Sequence, residues 1–206
     1  MPKTHTISGQ SLAHVSIWPE IVQFFLFVVK ELSGSMSCPT LTALQRLRKL
    51  VGHLEMTSDI CLVLEKPQPG QGRWKNSDRF WILESFSDSD LSSNQSHRRS
   101  TRSGMHMLNG CFLFGSSWTQ RVISLSSCEA ELHALVSTLC DGIFLRRCLV
   151  FLTGAVVDHF LFTDSSSARQ LSMQQGAGKI KHLSGKILWI QQWVMEGKIS
   201  LMLTPG

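Results

Sequence analysis

SLSSCEAELHAL, residues 124–135, changes character midway, and the reading of the whole chain turns on that change. Residues 121–125 alternate apolar and polar, the pattern of a half-buried strand. Ser126-Ser127-Cys128-Glu129 then reads as a capping box, in which the Ser hydroxyl and the Glu carboxylate satisfy free amides of a first helical turn. Beyond it Leu132, Leu135, Val136, Leu139 and Ile143 fall on one stripe of a helix. A strand that runs into a helix with one apolar face calls for a sheet with helices packed on it.

The flanking sequence extends this pattern in both directions. Upstream, Trp81-Ile82-Leu83 begins a strand that runs toward Asp88, and residues 105–114 form another candidate. Between them, residues 85–103 are rich in Ser and end in the basic patch His97-Arg98-Arg99 and Arg102, a composition that predicts a flexible loop. Downstream, Phe160-Leu161-Phe162-Thr163 is a short buried-type strand with Asp164 at its end, and serines 165 to 167 can cap a helix through Leu171. QQGAGK, residues 174–179, is a break. Leu183, Ile187, Ile190 and Val194 mark a last helix closed by Gly197, and Ile199, Leu201 and Leu203 alternate as a final strand. The order strand-strand-strand-helix-strand-helix-helix-strand predicts a mixed α/β or α+β sheet flanked by helices.

The chain before residue 72 reads differently. Leu41, Leu44, Leu47, Leu50, Val51 and Leu54 recur at helical intervals, with Arg46, Arg48, Lys49 and His53 among them, after the helix-start signal Pro39-Thr40. This predicts an amphipathic helix with a basic side. KPQPGQG, residues 66–72, forbids regular structure and is the expected domain boundary, giving a helical region over 1–72 and a sheet domain over 73–206.

Composition narrows the function classes. The chain has 206 residues, enough for one ordinary domain or one domain plus a fragment of another. With 43% apolar and 17% charged residues it can bury a sizeable core, and a net charge of +5 weakly favours a polyanionic partner. The longest apolar run, residues 21–29, is broken by Gln23 and is about half of the ~20 residues a bilayer span needs. MPKTHTISGQ has neither an apolar core nor an Arg-rich amphipathic pattern, so no targeting peptide and no membrane partner are expected, and the chain is expected to be intracellular, cytoplasmic or nuclear. The six Cys form no C-x-x-C pair, which argues against a structural zinc site and for reduced thiols. QQGAGKI lacks the first Gly and the Ser or Thr of a P-loop, and neither G-x-S-x-G nor H-E-x-x-H occurs.

Acids are scarce, so three in similar settings stand out. Asp88 closes a strand, Glu131 lies in the first turns of a capped helix, and Asp164 ends another strand. Carboxylates so placed can converge at one sheet edge, where hard oxygen ligands suit Mg²⁺ or Mn²⁺. Spacing alone does not decide this, because Asp and Glu beside Ser are also common caps and turn residues.

The wording around these acids is more specific. FSDSD (86–90), RRSTRSG (98–104), SLSSCEAELHAL (124–135), FTDSSSA (162–168), KIKHL (179–183) and EGKISLMLTP (196–205) occur in the order of the ribonuclease H domain of copia-type retrotransposon polyproteins, which this chain resembles. That family's pattern runs roughly YSDADWAG, RRSTSG, a segment ending in SSTEAEY, CDNQSA, TKHID and ISLEYVPT. WPEI (18–21), LSGSMSCPT (32–40) and ALQRLRKLVGHL (43–54) resemble the end of the reverse transcriptase just upstream, with RPDI, LSRFMSNPT and ALKRVLRYLKGT. The resemblance implies a ribonuclease H-like five-stranded sheet, preceded by a helical remnant of the reverse transcriptase connection. It also implies two-metal hydrolysis of the RNA strand of an RNA/DNA hybrid. Asp88, Glu131 and Asp164 match the metal-binding and catalytic acids, while Arg98, Arg99, Arg102 and Lys181 match basic positions that would track phosphates. The remainder of a retrotransposon polyprotein is an implied partner.

Departures from the family pattern are also expected to matter. The fourth acid of such sites lies, in the copia type, in an ADIFTK segment after YVPT, and here the sequence stops at Thr204-Pro205-Gly206. KHID becomes Lys181-His182-Leu183-Ser184, and the usual Trp after SDAD is Leu91. The alternative reading is therefore a truncated, degenerate relic that at most binds duplex nucleic acid. A third is a frame whose product folds poorly for want of C-terminal support.

Overall fold

A computed structural model of the chain describes residues 14–57, 81–92, 98–176 and 184–204. The chain divides into two compact units, Met1–Val63 and Leu64–Gly206. The expected boundary at residues 66–72 lies outside the described residues.

The first unit holds α1 (His14–Ser33) and α2 (Leu41–Met56). Thr40 starts α2 as expected: its backbone is extended and its Oγ1 accepts the Ala43 N–H at 3.1 Å. The helical period is right, but none of the residues of α2 is buried, and Leu41, Leu44, Leu47, Val51 and Leu54 all face solvent. The Phe25 ring of α1 meets the His53 ring of α2 with centroids 5.6 Å apart.

The second unit is a mixed sheet of five strands in the order β3-β2-β1-β4-β5. These are β1 (Trp81–Asp90), β2 (Thr101–Leu108), β3 (Cys111–Thr119), β4 (Val157–Thr163) and β5 (Ser200–Leu203). β1, β2 and β3 form an antiparallel meander, whereas β4 joins β1, and β5 joins β4, in parallel. Helices α3 (Ser127–Thr153), α4 (Ser166–Met173) and α5 (Ser184–Met195) flank the sheet. The result is the expected mixed α/β sheet of five strands flanked by helices, although its second and third strands do not fall where the sequence pattern placed them.

Three strand boundaries differ from expectation. Residues 105–114 are not one strand, because Asn109 and Gly110 adopt φ of +51° and +84° and turn the chain into a hairpin. The Asn109 side chain accepts the Ile82 N–H at 2.7 Å and its own N–H donates to Ile82 O at 2.9 Å, so the turn is tied to β1. Residues 121–125 are a loop. Their alternation runs the wrong way, with Val122, Ile123 and Leu125 exposed and Ser124 buried. Side chains satisfy this loop: Ser124 Oγ donates to Gln120 Oε1, Gln120 Nε2 to Ala130 O, and the Leu125 N–H to Glu129 Oε2. The Ser-rich stretch 85–103 is strand at both ends, since β1 continues to Asp90 and β2 begins at Thr101.

The core lies between α3, α5, β4 and β5. Leu132, Leu135 and Leu139 meet Leu161, Ile187, Ile190, Ile199 and Leu201, with Val136, Ile143 and Val194 at the rim. The end of α5 closes with the Gly197 N–H on Val194 O and the Lys198 N–H on Trp193 O. Farther along α3, Gly142 permits close approach to the sheet. A Cβ there would sit 2.5 Å from the His159 ring and 2.9 Å from Ser85 Oγ. Under it, Ser85 Oγ lies 2.8 Å from both His106 Nδ1 and His159 Nε2.

Candidate metal centre

The parallel pairing of β1 with β4 builds one edge of the site. Ser87 is in register with Thr163, so the next residues, Asp88 and Asp164, emerge at the same end of adjacent strands. The third carboxylate comes from α3. Its N-cap is Ser126, whose Oγ accepts the Glu129 N–H at 3.2 Å, and Glu131 follows in the opening turns. Asp88, Glu131 and Asp164 each offer one oxygen such that all three atoms lie within 4.8 Å of one another. Residues distant along the chain are thus brought together.

Their surroundings differ. Asp88 and Asp164 are exposed, whereas Glu131 is 5% exposed. The Ser89 hydroxyl donates to Glu131 Oε1 at 2.7 Å, and Glu131 Oε2, also buried, has no hydrogen-bond partner among the described residues. Burial pushes the Glu131 carboxyl up to about 7; the charges of Asp164 and Asp88 add to the rise and Ser89 opposes it. Asp88 is likewise held above the ordinary carboxylate range, by burial first and by Asp164 next, against hydrogen bonds from Ser89 and Ser103. Three carboxylates with oxygens this close, the Asp88 and Glu131 carboxyls raised and one Glu131 oxygen buried and orphaned, fit a hard divalent cation such as Mg²⁺ or Mn²⁺. Glu129 serves elsewhere, accepting the Leu125 N–H at 2.8 Å.

The described basic residues sit in different settings. Arg98, at φ +55°, and Arg99 are exposed in the segment leading into β2. Arg102 is half-buried on β2, where burial works against its charge and the Asp141 carboxylate partly offsets this, and it lies opposite Trp118, a residue 59% exposed. Lys181 lies outside the described residues. Sequence reasoning missed Ser89, Ser103 and Trp118. Strand alternation is the signal for Ser89: Ser85 faces Gly142 of α3, so Ser87 and Ser89 follow on that side.

No family model matches the chain. Over 122 residues, 59% of its length, it is 26% identical to a retrovirus-related Pol polyprotein from transposon TNT 1-94 of Nicotiana tabacum. The chain spans about 9% of the length of that curated polyprotein. Among solved structures, ribonuclease H1 of Halobacterium salinarum NRC-1 is 13% identical, with a TM-score of 0.44 covering 60% of this chain and 86% of that one. LC11-RNase H1 in complex with an RNA/DNA hybrid is 19% identical, with a TM-score of 0.41 covering 60% and 85%. The match to a foamy viral protease-reverse transcriptase in complex with double-stranded DNA covers 93% of this chain and 33% of that one, at 12% identity and a TM-score of 0.42. No described helix is long and apolar enough to cross a membrane.

Proposed function

We propose that the sheet domain, residues 73–206, is a ribonuclease H-type endonuclease that hydrolyses the RNA strand of RNA/DNA hybrids. The observation that carries the reading is the meeting of Asp88, Glu131 and Asp164 within 4.8 Å around a buried, unpartnered Glu131 oxygen. These three residues would hold Mg²⁺ or Mn²⁺. Bound there, such ions supply the charge that stabilises the attacking and leaving oxygens of phosphodiester hydrolysis. Asp88 and Asp164, being exposed, face the side from which a phosphate arrives, while Glu131 closes the site from the helix. Arg98, Arg99, Arg102 and Lys181 track backbone phosphates without reading bases. Residues 1–72 are the helical remnant of a reverse transcriptase connection, and the rest of a polyprotein is the natural partner.

A second reading is a relic that binds a hybrid without cutting it. It is favoured by the acidic set stopping at three carboxylates among the described residues. One experiment separates the two. A labelled RNA/DNA hybrid incubated with the protein and Mn²⁺ is expected to yield metal-dependent fragments, and Asp164→Asn to slow their release at least ~100-fold, the usual scale for losing one group that stabilises a transition state. Hybrid binding without cleavage at any Mn²⁺ concentration would establish the relic instead.

A further inference from the structure

Asp88-Ser89-Asp90 ends β1, and the middle residue is the one turned toward α3. Its hydroxyl donates to Glu131 Oε1 at 2.7 Å, leaving Oε2 of the same carboxylate buried and without a partner among the described residues. The last torsion of a glutamate is broad and weakly preferred, so an isolated Glu131 would sample many orientations of its two oxygens. One oxygen held by a hydroxyl removes that freedom. The copia-type wording SDAD has alanine at this position, so the contact is this chain's own feature and not part of the family pattern.

We propose that Ser89 is a positioning residue: it clamps one oxygen of Glu131 so that the other is presented to a divalent cation shared with Asp88 and Asp164. This role rests on the metal-dependent reading above. Ser89 touches neither cation nor substrate; it acts through Glu131. Preorganisation of this kind strengthens binding by removing a freedom that the cation would otherwise have to freeze out.

The test is calorimetric titration of the full chain with Mn²⁺ alone, for the parent, Ser89→Ala, Ser89→Gly and Ser89→Thr. Losing a hydrogen bond to a charged group is expected to weaken Mn²⁺ binding roughly tenfold in the Ala and Gly variants. Thr keeps the hydroxyl and is expected to restore affinity. Ser89→Ala should lower the metal-free melting midpoint only by the loss of one hydrogen bond, with Ser89→Thr restoring it, whereas a merely structural role would leave Mn²⁺ affinity unchanged; in hybrid cleavage kcat should fall while KM for the hybrid holds. Parent-like Mn²⁺ affinity in Ser89→Ala would overturn the positioning role and leave the metal centre standing. Should Ser89→Ala fail to melt cooperatively, Ser89→Gly and Ser89→Thr decide by the same comparison. A parent that binds no Mn²⁺, or binds it equally after Asp88→Asn, would overturn the metal reading and this role with it.

Discussion

At the level of single side chains, Glu131 carries most of the tension in the site. Its carboxyl is held at about 7 against an ordinary value of 4.5, so the folded chain keeps that proton more tightly than the unfolded chain does. The resulting cost is absent below 4.5, grows through the interval, and is complete above about 7. Glu131→Gln is therefore expected to raise the metal-free melting midpoint at pH 8 by roughly 2–4 °C, the change that about 1 kcal/mol produces in a chain this long. At pH 4 parent and variant should melt together. An equal shift at both pH values would mean that packing, not ionisation, separates them. The three acids were legible in the sequence through their settings and wording. Ser89 was not, because a serine between two aspartates reads as a loop until the strand is known to continue through it.

Among the secondary-structure elements, α3 is the one whose placement most depends on a missing side chain. Its contact with β1 and β4 at Gly142 leaves no space for a methyl group, which would come within 2.5 Å of the His159 ring and 2.9 Å of Ser85 Oγ. Gly142→Ala gains helix propensity, yet it must push α3 off the sheet or break the Ser85 bonds. Overpacking of this kind costs about 2 kcal/mol. Denaturant unfolding should show that loss in the midpoint, and a variant as stable as the parent would mean that α3 is free to move. Helices were the most readable elements, since Thr40, Ser126 and Ser165 all cap where their sequences indicate. Strands were harder for two physical reasons. Positive φ at Asn109 and Gly110 cuts a continuous apolar run in two, and side-chain hydrogen bonds from Gln120 and Glu129 replace ladder bonds over residues 121–125. α2 shows the opposite failure, with a correct period whose apolar stripe is not buried.

For the molecule as a whole, acid sensitivity is set by the buried pair under α3. Ser85 has one hydroxyl proton, so it donates to one of His106 and His159 and accepts from the other. Each imidazole keeps a second ring nitrogen that is buried and unpartnered among the described residues. Burial holds His106 down to about 4 and His159 to about 3, the latter helped by His106 and Arg146. Both rings stay neutral in the fold while the unfolded chain protonates them below 6.5, so their stabilisation is whole above 6.5 and drains as pH falls toward 4 and 3. Glu131 pulls the other way over part of that range, which makes Glu131→Gln the background in which to look. Its metal-free melting midpoint should fall steadily from pH 6.5 to pH 4, and a flat profile would show that the pair is hydrated or already charged.

The reciprocal bonds between Asn109 and Ile82 reach beyond their own hairpin. They act as a vernier, setting the offset of β2 against β1 from the end of the strands remote from the carboxylates. A slip of one residue there would exchange the two faces of β2, carrying Ser103 away from Asp88 and turning Arg102 to the other side of the sheet. The alignment of the acidic corner is thus calibrated at the opposite end of the ladder, by an amide that never touches it.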